Sequence, residues 1–358
     1  MLVKTGKMMR IGLVCLLMVA AAFPALADNA GNPPVEPPIS SIEPSLLVPE
    51  EEKVPVLASD YIANINYNLV HDAQKLANGH LLICRVGSWD PGVIEVDQQG
   101  TEVWYYRGLQ ANSARRLDNG NTLVADSGAP GAPFIPRVVE LTPEGKKAWE
   151  YVLPSAAFAP RYAERLDSGN TLMVLPFEIR EVDSRKKIIW QYGLGKPGKP
   201  GTAGYLAHPV RAHRLSNGNT LIVDRGYSKG CVLEVTPAKK VVWQFAAPDS
   251  TVVGDTKEAQ PPSLIQPLEA LRLAGGTTWV TDKKQDMVFL VDTMGQAVQA
   301  KTWSGIYKSA PVTNLWTAQP GEEGNVLITA TMVTGRTRVA EVVGESMKVV
   351  WDKEKTKE

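Results

Sequence analysis

The chain has 358 residues, 44% of them hydrophobic and 21% charged, and its 38 basic and 38 acidic side chains give a formal net charge of zero. A nucleic-acid partner would want a strong basic excess, so none is expected. Three cysteines in a chain of this length also exclude a disulfide-dependent scaffold.

The amino terminus carries Lys4, Lys7 and Arg10 and then an uncharged apolar run from Ile11 to Ala22. Ala25-Leu26-Ala27 places small residues on either side of a spacer, as a signal peptidase requires. Residues 1–27 therefore read as a cleaved secretory signal peptide, which implies a periplasmic or secreted protein. The apolar run is too short to cross a bilayer, and no later segment approaches the needed length, so no transmembrane span is expected. Residues 28–57 hold Pro33, Pro34, Pro37, Pro38, Pro44, Pro49 and Pro55 with few large apolar groups. Such a segment reads as an extended, disordered linker, because it cannot bury enough surface to offset its ordering entropy.

Residues 58–358 repeat themselves. Leu117-Asp118-Asn119-Gly120-Asn121-Thr122-Leu123-Val124 recurs as Leu166-Asp167-Ser168-Gly169-Asn170-Thr171-Leu172-Met173 and as Leu215-Ser216-Asn217-Gly218-Asn219-Thr220-Leu221-Ile222. Weaker copies surround Gly79, Gly276 and Gly324, and the six aligned glycines are spaced by 41 to 58 residues. Each copy has a second half, seen in Val138 to Trp149, in Val232 to Trp243 and more loosely in Val93 to Trp104. Every copy thus supplies four short β-rich runs, A to D, joined in pairs by glycine turns of hairpin type. The period is that of a propeller blade. The fold expected is all-β, a six-bladed β-propeller of four-stranded antiparallel blades.

Trp104, Trp149, Trp190, Trp243 and Trp351 form one column near the end of strand D. A residue repeated around the whole ring cannot mark a single site, so each tryptophan is expected to fill the gap between neighbouring blades. The same logic makes Glu95, Glu140, Glu181, Glu234 and Glu341 of strand C, and Lys75, Arg116, Arg165, Arg214 and Arg272 of strand A, partners in structural ion pairs.

A meander places the short A–B and C–D turns on one face and the longer B–C and D–A connections on the other. Insertions gathered on one face point to the binding face. The first residues of strand A emerge there, and they differ from blade to blade as a specific site demands. His71, Asp72, Tyr162, His208, Arg211 and Glu269 are the candidate binding residues at this channel mouth. No metal site is expected, since His208-x4-His213 bridges a loop and a strand and is poor ligand spacing. Gly226-Tyr227-Ser228-Lys229-Gly230 matches the nucleophile-elbow pattern but lies in a B–C loop without the required strand-to-helix turn. Cys84 and Cys231 fall in opposite blades of a six-fold ring and are expected to be free and buried.

The Leu-x-Asn-Gly-Asn-Thr-Leu phrase, followed by Val-x-Glu-Val-Thr-Pro and a tryptophan, resembles the repeats of the bacterial arylsulfotransferase family. More loosely it is similar to propellers of the pyrroloquinoline-quinone type. The resemblance covers residues ~68–351 and implies transfer of a sulfuryl group through a transiently sulfated channel histidine. On that reading His71, followed by Asp72, is the nucleophile, with Arg161, Arg211 and His213 as catalytic partners and His208 as a further contact. The chain departs from the family in its few histidines and in lacking the extra amino-terminal domain. Two functions are therefore expected. The first is a propeller, read as a monomer without cofactor, that binds a small-molecule, glycan or protein ligand on its long-loop face; the alternative is sulfuryl transfer. Whether the chain is an enzyme stays open at this point.

Overall fold

The structure is a computed structural model that describes residues 70–87, 90–128, 135–199, 202–227, 229–245, 264–302, 312–320, 325–332, 337–343 and 348–353. The expected signal peptide and Pro-rich linker lie outside the described residues.

The repeated phrase builds a repeated hairpin. At Gly120 the backbone takes φ +82°, a left-handed conformation that glycine adopts without a Cβ clash. The turn closes when Gly120 donates to the Leu117 carbonyl at 2.9 Å and Leu117 donates to the Asn121 carbonyl at 2.8 Å. The β-branched and leucine-rich run that follows is buried on both faces, and strand B is buried along its whole length in each of the first five copies.

Blade 1 comprises β1 (Val70–Lys75), β2 (Leu81–Arg85), β3 (Gly92–Val96) and β4 (Glu102–Arg107). Blade 2 comprises β5 (Ala111–Arg116), β6 (Thr122–Asp126), β7 (Arg137–Leu141) and β8 (Lys147–Val152). Blade 3 holds β9 (Tyr162–Arg165), β10 (Thr171–Leu175), β11 (Glu178–Val182) and β12 (Ile188–Gly193). Blade 4 holds β13 (Pro209–Arg214), β14 (Thr220–Asp224), β15 (Cys231–Val235) and β16 (Val241–Phe245). Blade 5 holds β17 (Pro267–Arg272), β18 (Thr278–Asp282), β19 (Met287–Val291) and β20 (Ala297–Thr302). In each, the four strands pair antiparallel in sequence order. The molecule is an all-β propeller of four-stranded antiparallel blades.

The expectation of six blades needs correction: the blade of the repeat occurs five times. The remaining strands, β21 (Val312–Pro320), β22 (Asn325–Met332), β23 (Thr337–Val343) and β24 (Lys348–Lys353), form a sheet of different build between blades 5 and 1. Its first strands run to 9 and 8 residues, against 4 to 6 in the blades, and their pairing slips twice, at Val312/Asn314 and Leu315/Thr317. The physical reason lies in what joins blade to blade, and this sheet lacks it at its junction with blade 5.

Among the described residues that joint repeats four times. The strand-C glutamate of one blade accepts from the strand-A arginine of the next, in the pairs Glu95–Arg116 at 2.8 Å, Glu140–Arg165 at 2.5 Å, Glu181–Arg214 at 2.5 Å and Glu234–Arg272 at 2.8 Å. Each guanidinium also lies over the tryptophan paired across from that glutamate, at 5.0 or 5.1 Å from the ring centroids of Trp104, Trp149, Trp190 and Trp243. The indole N–H of each tryptophan donates in turn to a C–D turn carbonyl of the next blade, on Pro143, Ser184, Pro237 and Asp292. Blade 5 has Gln299 opposite Leu290 where the tryptophan would stand, and β21 contains no lysine or arginine. Both halves of the clamp are missing there, so the joint that fixes the repeat geometry elsewhere does not form between blade 5 and β21.

The apolar cores are shared in the same way. Leu82, Cys84 and Val93 of blade 1 pack with Ala111, Ala114, Val124, Val139 and Leu141 of blade 2, and Leu123 and Val138 of blade 2 pack with Met173, Leu175 and Val182 of blade 3. Each fully buried leucine or valine contributes about 2 kcal/mol of transfer free energy, and no blade collects it without a neighbour. Among the described residues, no helix is long and apolar enough to cross a membrane.

A double-mutant cycle on Glu140→Gln and Arg165→Met tests the clamp by urea denaturation. Each single change is expected to destabilise by about 2 kcal/mol, and the pair by clearly less than the sum. Additive losses would mean that the two side chains do not act as one joint.

Candidate functional site

Strand A is the innermost strand of each blade and supplies the channel. In blades 1, 2, 4 and 5 its pairing slips by one residue near the start, skipping His71, Asn112, Val210 and Leu268. Such a bulge re-aims the side chains that follow it. Those are Asp72, Ser113, Arg211 and Glu269, with Tyr162 in the equivalent place of blade 3, and all five are at most 3% exposed. Two residues on, and therefore on the same face of the strand, come Gln74, Arg115, Glu164, His213 and Leu271.

These residues close on one another as an ionic network. Arg115 donates to Asp72 at 2.6 Å, and Arg211 reaches the other Asp72 oxygen at 3.8 Å while donating to Glu269 at 2.9 Å. The His213 ring bridges Glu269, 2.8 Å from Nε2, and Glu164, 3.0 Å from Nδ1. The Tyr162 hydroxyl donates to Glu164 at 3.2 Å, and both Arg115 and Arg211 lie over its ring at 5.0 and 5.1 Å. Burial by itself would push His213 down, but the Glu269 and Glu164 carboxylates outweigh it and lift the imidazole from 6.5 to about 9. The ring is therefore an imidazolium at neutral pH. Three cations, Arg115, Arg211 and His213, then face three carboxylates, Asp72, Glu164 and Glu269, and the buried charge sums to zero. Burial likewise pushes the Tyr162 phenol up, so it stays a neutral donor.

A second cluster gathers where the long connections meet the channel. Arg161 donates to the Pro209 carbonyl at 2.6 Å and turns its other terminal nitrogen to His208 Nδ1 at 3.3 Å. Arg225, in the loop after β14, approaches Nε2 of the same ring at 2.7 Å. The loop carrying His208 is tied down by Asp224, whose oxygens accept from the backbone N–H groups of Ala207 at 2.7 Å and His208 at 2.6 Å. Burial, together with Arg161 and Arg225, drives His208 from 6.5 to about 4, so it is a neutral imidazole between two guanidinium groups. Arg161 falls to about 10 through burial and the nearby Arg225.

His71, Arg161, Arg211 and His213 thus do not meet in one pocket. Asp72, Tyr162, Arg211, Glu269 and His213 belong to the buried network, which the sequence placed at an open mouth. Arg161 and His208 stand in the second cluster with Arg225. His71 turns Nδ1 to the Asn112 carbonyl at 3.0 Å, and burial lowers its imidazole below the ordinary value, helped by Arg211 and Lys283. Arg115, Glu164 and Arg225 were not singled out by the sequence. The first two could have been found by counting two residues on from each strand-A candidate, and Arg225 by the same period, since it follows Asp224 as Ser127 follows Asp126 and Lys283 follows Asp282.

Two cavities, of about 740 and 630 Å³, share Glu164 and His213 and open toward the A–B turns, the face opposite to the one expected. Much of the larger wall is made of repeat residues such as Arg116, Leu117, Asp118, Arg165, Leu166 and Asp167. Among the described residues, no group of three or more His, Cys, Asp or Glu is placed to hold a metal ion. Cys84 and Cys231 are free thiols, Cys84 buried and Cys231 partly so.

No family model matches the chain, and no curated protein matches it. Solved structures are similar in fold. A streptogramin B lyase superposes with a TM-score of 0.56 at 11% identity, over 84% of this chain and 87% of its own. A protein of unknown function from Bacteroides caccae gives 0.55 at 18% identity, over 76% of this chain and 92% of its own. The virginiamycin B lyase of Staphylococcus aureus gives 0.52 at 12%, over 77% and 81%. At such identities the likeness shows the propeller fold alone. The resemblance to arylsulfotransferases therefore rests on the repeat phrase and has no further support.

The network carries a pH dependence. The folded-state value of His213 lies above 6.5, so its contribution is fully present below pH 6.5 and is lost as pH rises through about 9. Urea midpoints are expected to fall across that interval by the equivalent of about 3 kcal/mol, and the fall should vanish in His213→Gln. A flat profile in the parent protein would mean that the ring is neutral.

Proposed function

We propose that this chain is an exported, non-enzymatic binding propeller whose ligand docks at the long-loop mouth of the channel. One observation carries the reading. The residues at that mouth differ from blade to blade, since blade 4 has His208 and Arg225 where blade 2 has Gln110 and Ser127 and blade 5 has Gln266 and Lys283, whereas the walls of the opposite cavities are largely residues repeated in type. A feature shared by every blade serves the ring, and one confined to a single sector can recognise one ligand. A small molecule fits the half-buried cluster better than a glycan, since Tyr227 is the one exposed aromatic there among the described residues. Export follows from the signal-like residues 1–27, and a periplasmic or secreted location follows from export.

Sulfuryl transfer is the second reading, and His71 is the observation that favours it. Burial, helped by Arg211 and Lys283, lowers its imidazole below the ordinary value and so favours the neutral ring that a nucleophile needs, with Nδ1 facing the Asn112 carbonyl at 3.0 Å. Against it, Arg211 and His213 are neutralised by carboxylates and cannot hold a transferring anion.

Two measurements separate these readings. A ligand at about 100 times its Kd stabilises by about 2.7 kcal/mol, so a thermal-shift screen should find compounds that raise Tm by several degrees. That shift should shrink in Tyr227→Ala and persist in Asp118→Ala on the opposite face; the reverse pattern would move the ligand to the A–B turn cavities. With 4-nitrophenyl sulfate as donor and phenol as acceptor, no turnover is expected. Nitrophenolate release that disappears in His71→Ala would replace binding by catalysis.

A further inference from the structure

The geometry points to an oxyanion site at the long-loop mouth, formed by Arg161, His208 and Arg225, that takes a small ligand through a phosphate-like dianionic group. The inference rests on the proposal that this mouth is the ligand face and names the chemistry of what binds there.

Hydrogen-bond accounting carries it. A guanidinium has donors and no acceptor, and a neutral imidazole has one donor and one acceptor. Two guanidinium groups are nevertheless aimed at the two nitrogens of one ring, Arg225 at Nε2 at 2.7 Å and Arg161 at Nδ1 at 3.3 Å. Only one ring nitrogen can accept, so the other contact sets donor against donor. The shorter distance identifies Nε2 as the acceptor and leaves Nδ1–H facing Arg161. An oxyanion seated beside the ring would accept from both guanidinium groups and from Nδ1–H, converting an opposed contact into three charge-assisted or neutral hydrogen bonds.

Among the described residues no carboxylate supplies this need. Among the described residues neither guanidinium is within ion-pair distance of a carboxylate, and their hydrogen bonds run to His208 and the Pro209 carbonyl. The nearby Asp224 is occupied by the N–H groups of Ala207, His208 and Gly226. Its role is to hold the loop, and the same bonds fix the approach of the ring. The parts are also pre-organised: Arg161 is anchored at 2.6 Å to Pro209, and Arg225 donates its backbone N–H to the His208 carbonyl at 3.0 Å. Burial first and then the crowding of like charge lower Arg161, His208 and Lys283, with Arg225 among the causes for all three. Two guanidinium forks favour a tetrahedral dianion, which offers oxygens to both, over a carboxylate, which matches one.

The test is calorimetric titration of the full chain with inorganic phosphate, sulfate and acetate at constant ionic strength. Saturable binding of phosphate and sulfate is expected, at least ten-fold tighter than acetate. Arg225→Gln should weaken phosphate by at least ten-fold, Arg225→Lys should weaken it less, and circular dichroism should show both folded. In the parent protein, NMR titration of the His208 ring should move from about 4 toward its ordinary value when phosphate is added. Absence of saturable phosphate or sulfate binding, unchanged affinity in Arg225→Gln, or a His208 titration indifferent to phosphate would each overturn the assignment. Should phosphate fail while a neutral compound still gives a Tyr227-dependent thermal shift, the oxyanion falls and the ligand face stands. Phosphate binding that survives Arg225→Gln and is lost in Lys75→Gln on the opposite face overturns both.

Discussion

Everything in this molecule depends on the joint between one blade and the next. A glutamate at the end of strand C, an arginine at the end of the following strand A and a tryptophan beneath it form a unit that no blade can complete alone. The arginine satisfies the glutamate, covers the indole face and leaves the indole N–H to reach a turn on the neighbouring blade. Glu140, Arg165 and Trp149 are one such set, and their geometry recurs almost unchanged in the other three. Because the apolar cores are also shared between blades, the ring is stabilised by neighbours, as repeat proteins are. Where Gln299 replaces the tryptophan and β21 offers no basic partner, the strands lengthen and slip.

A ring held at its waist leaves the inner strand free to vary. Strand A spends its last residues on the clamp and its first on the channel, and between them lie the side chains that differ by sector. Their charges divide into two groups with opposite logic. In the buried network every cation has a carboxylate, and the imidazolium of His213 is the price of balancing Glu164 and Glu269. At the loop face two arginines and a histidine converge with no carboxylate of the described residues in ion-pair distance of either guanidinium, and the histidine is forced neutral. Compensated buried charge reads as architecture, whereas uncompensated charge near the surface reads as a place for something else to sit.

The similar solved structures fit this division. Proteins with 11 to 18% identity share the blade arrangement with this chain, since the arrangement asks only for hairpins, apolar strands B and C and a joint between blades. Residues that would carry a lyase or a transferase reaction are not part of that requirement.

The sequence alone determined the blade. Its glycine turns, its alternating short strands and its columns of Trp, Glu and Arg follow from local backbone rules and from a period, and both can be read without coordinates. It also separated the repeated residues from the variable ones, and so marked Asp72, Tyr162, Arg211 and Glu269 as channel residues. What it could not determine was partnership across the ring. Arg115 and Asp72 stand 43 residues apart, and Arg211 and Glu269 stand 58 apart, so only closure of the fold decides that they meet. The tertiary structure likewise turned the expected open mouth into a neutral plug, brought the Arg225 side chain to the His208 ring, and reduced the count of repeat blades to five. The reason is the same in each case. Periodicity reports what a residue does for its own hairpin and its neighbour, whereas charge pairing in a channel is settled by distances that no period encodes.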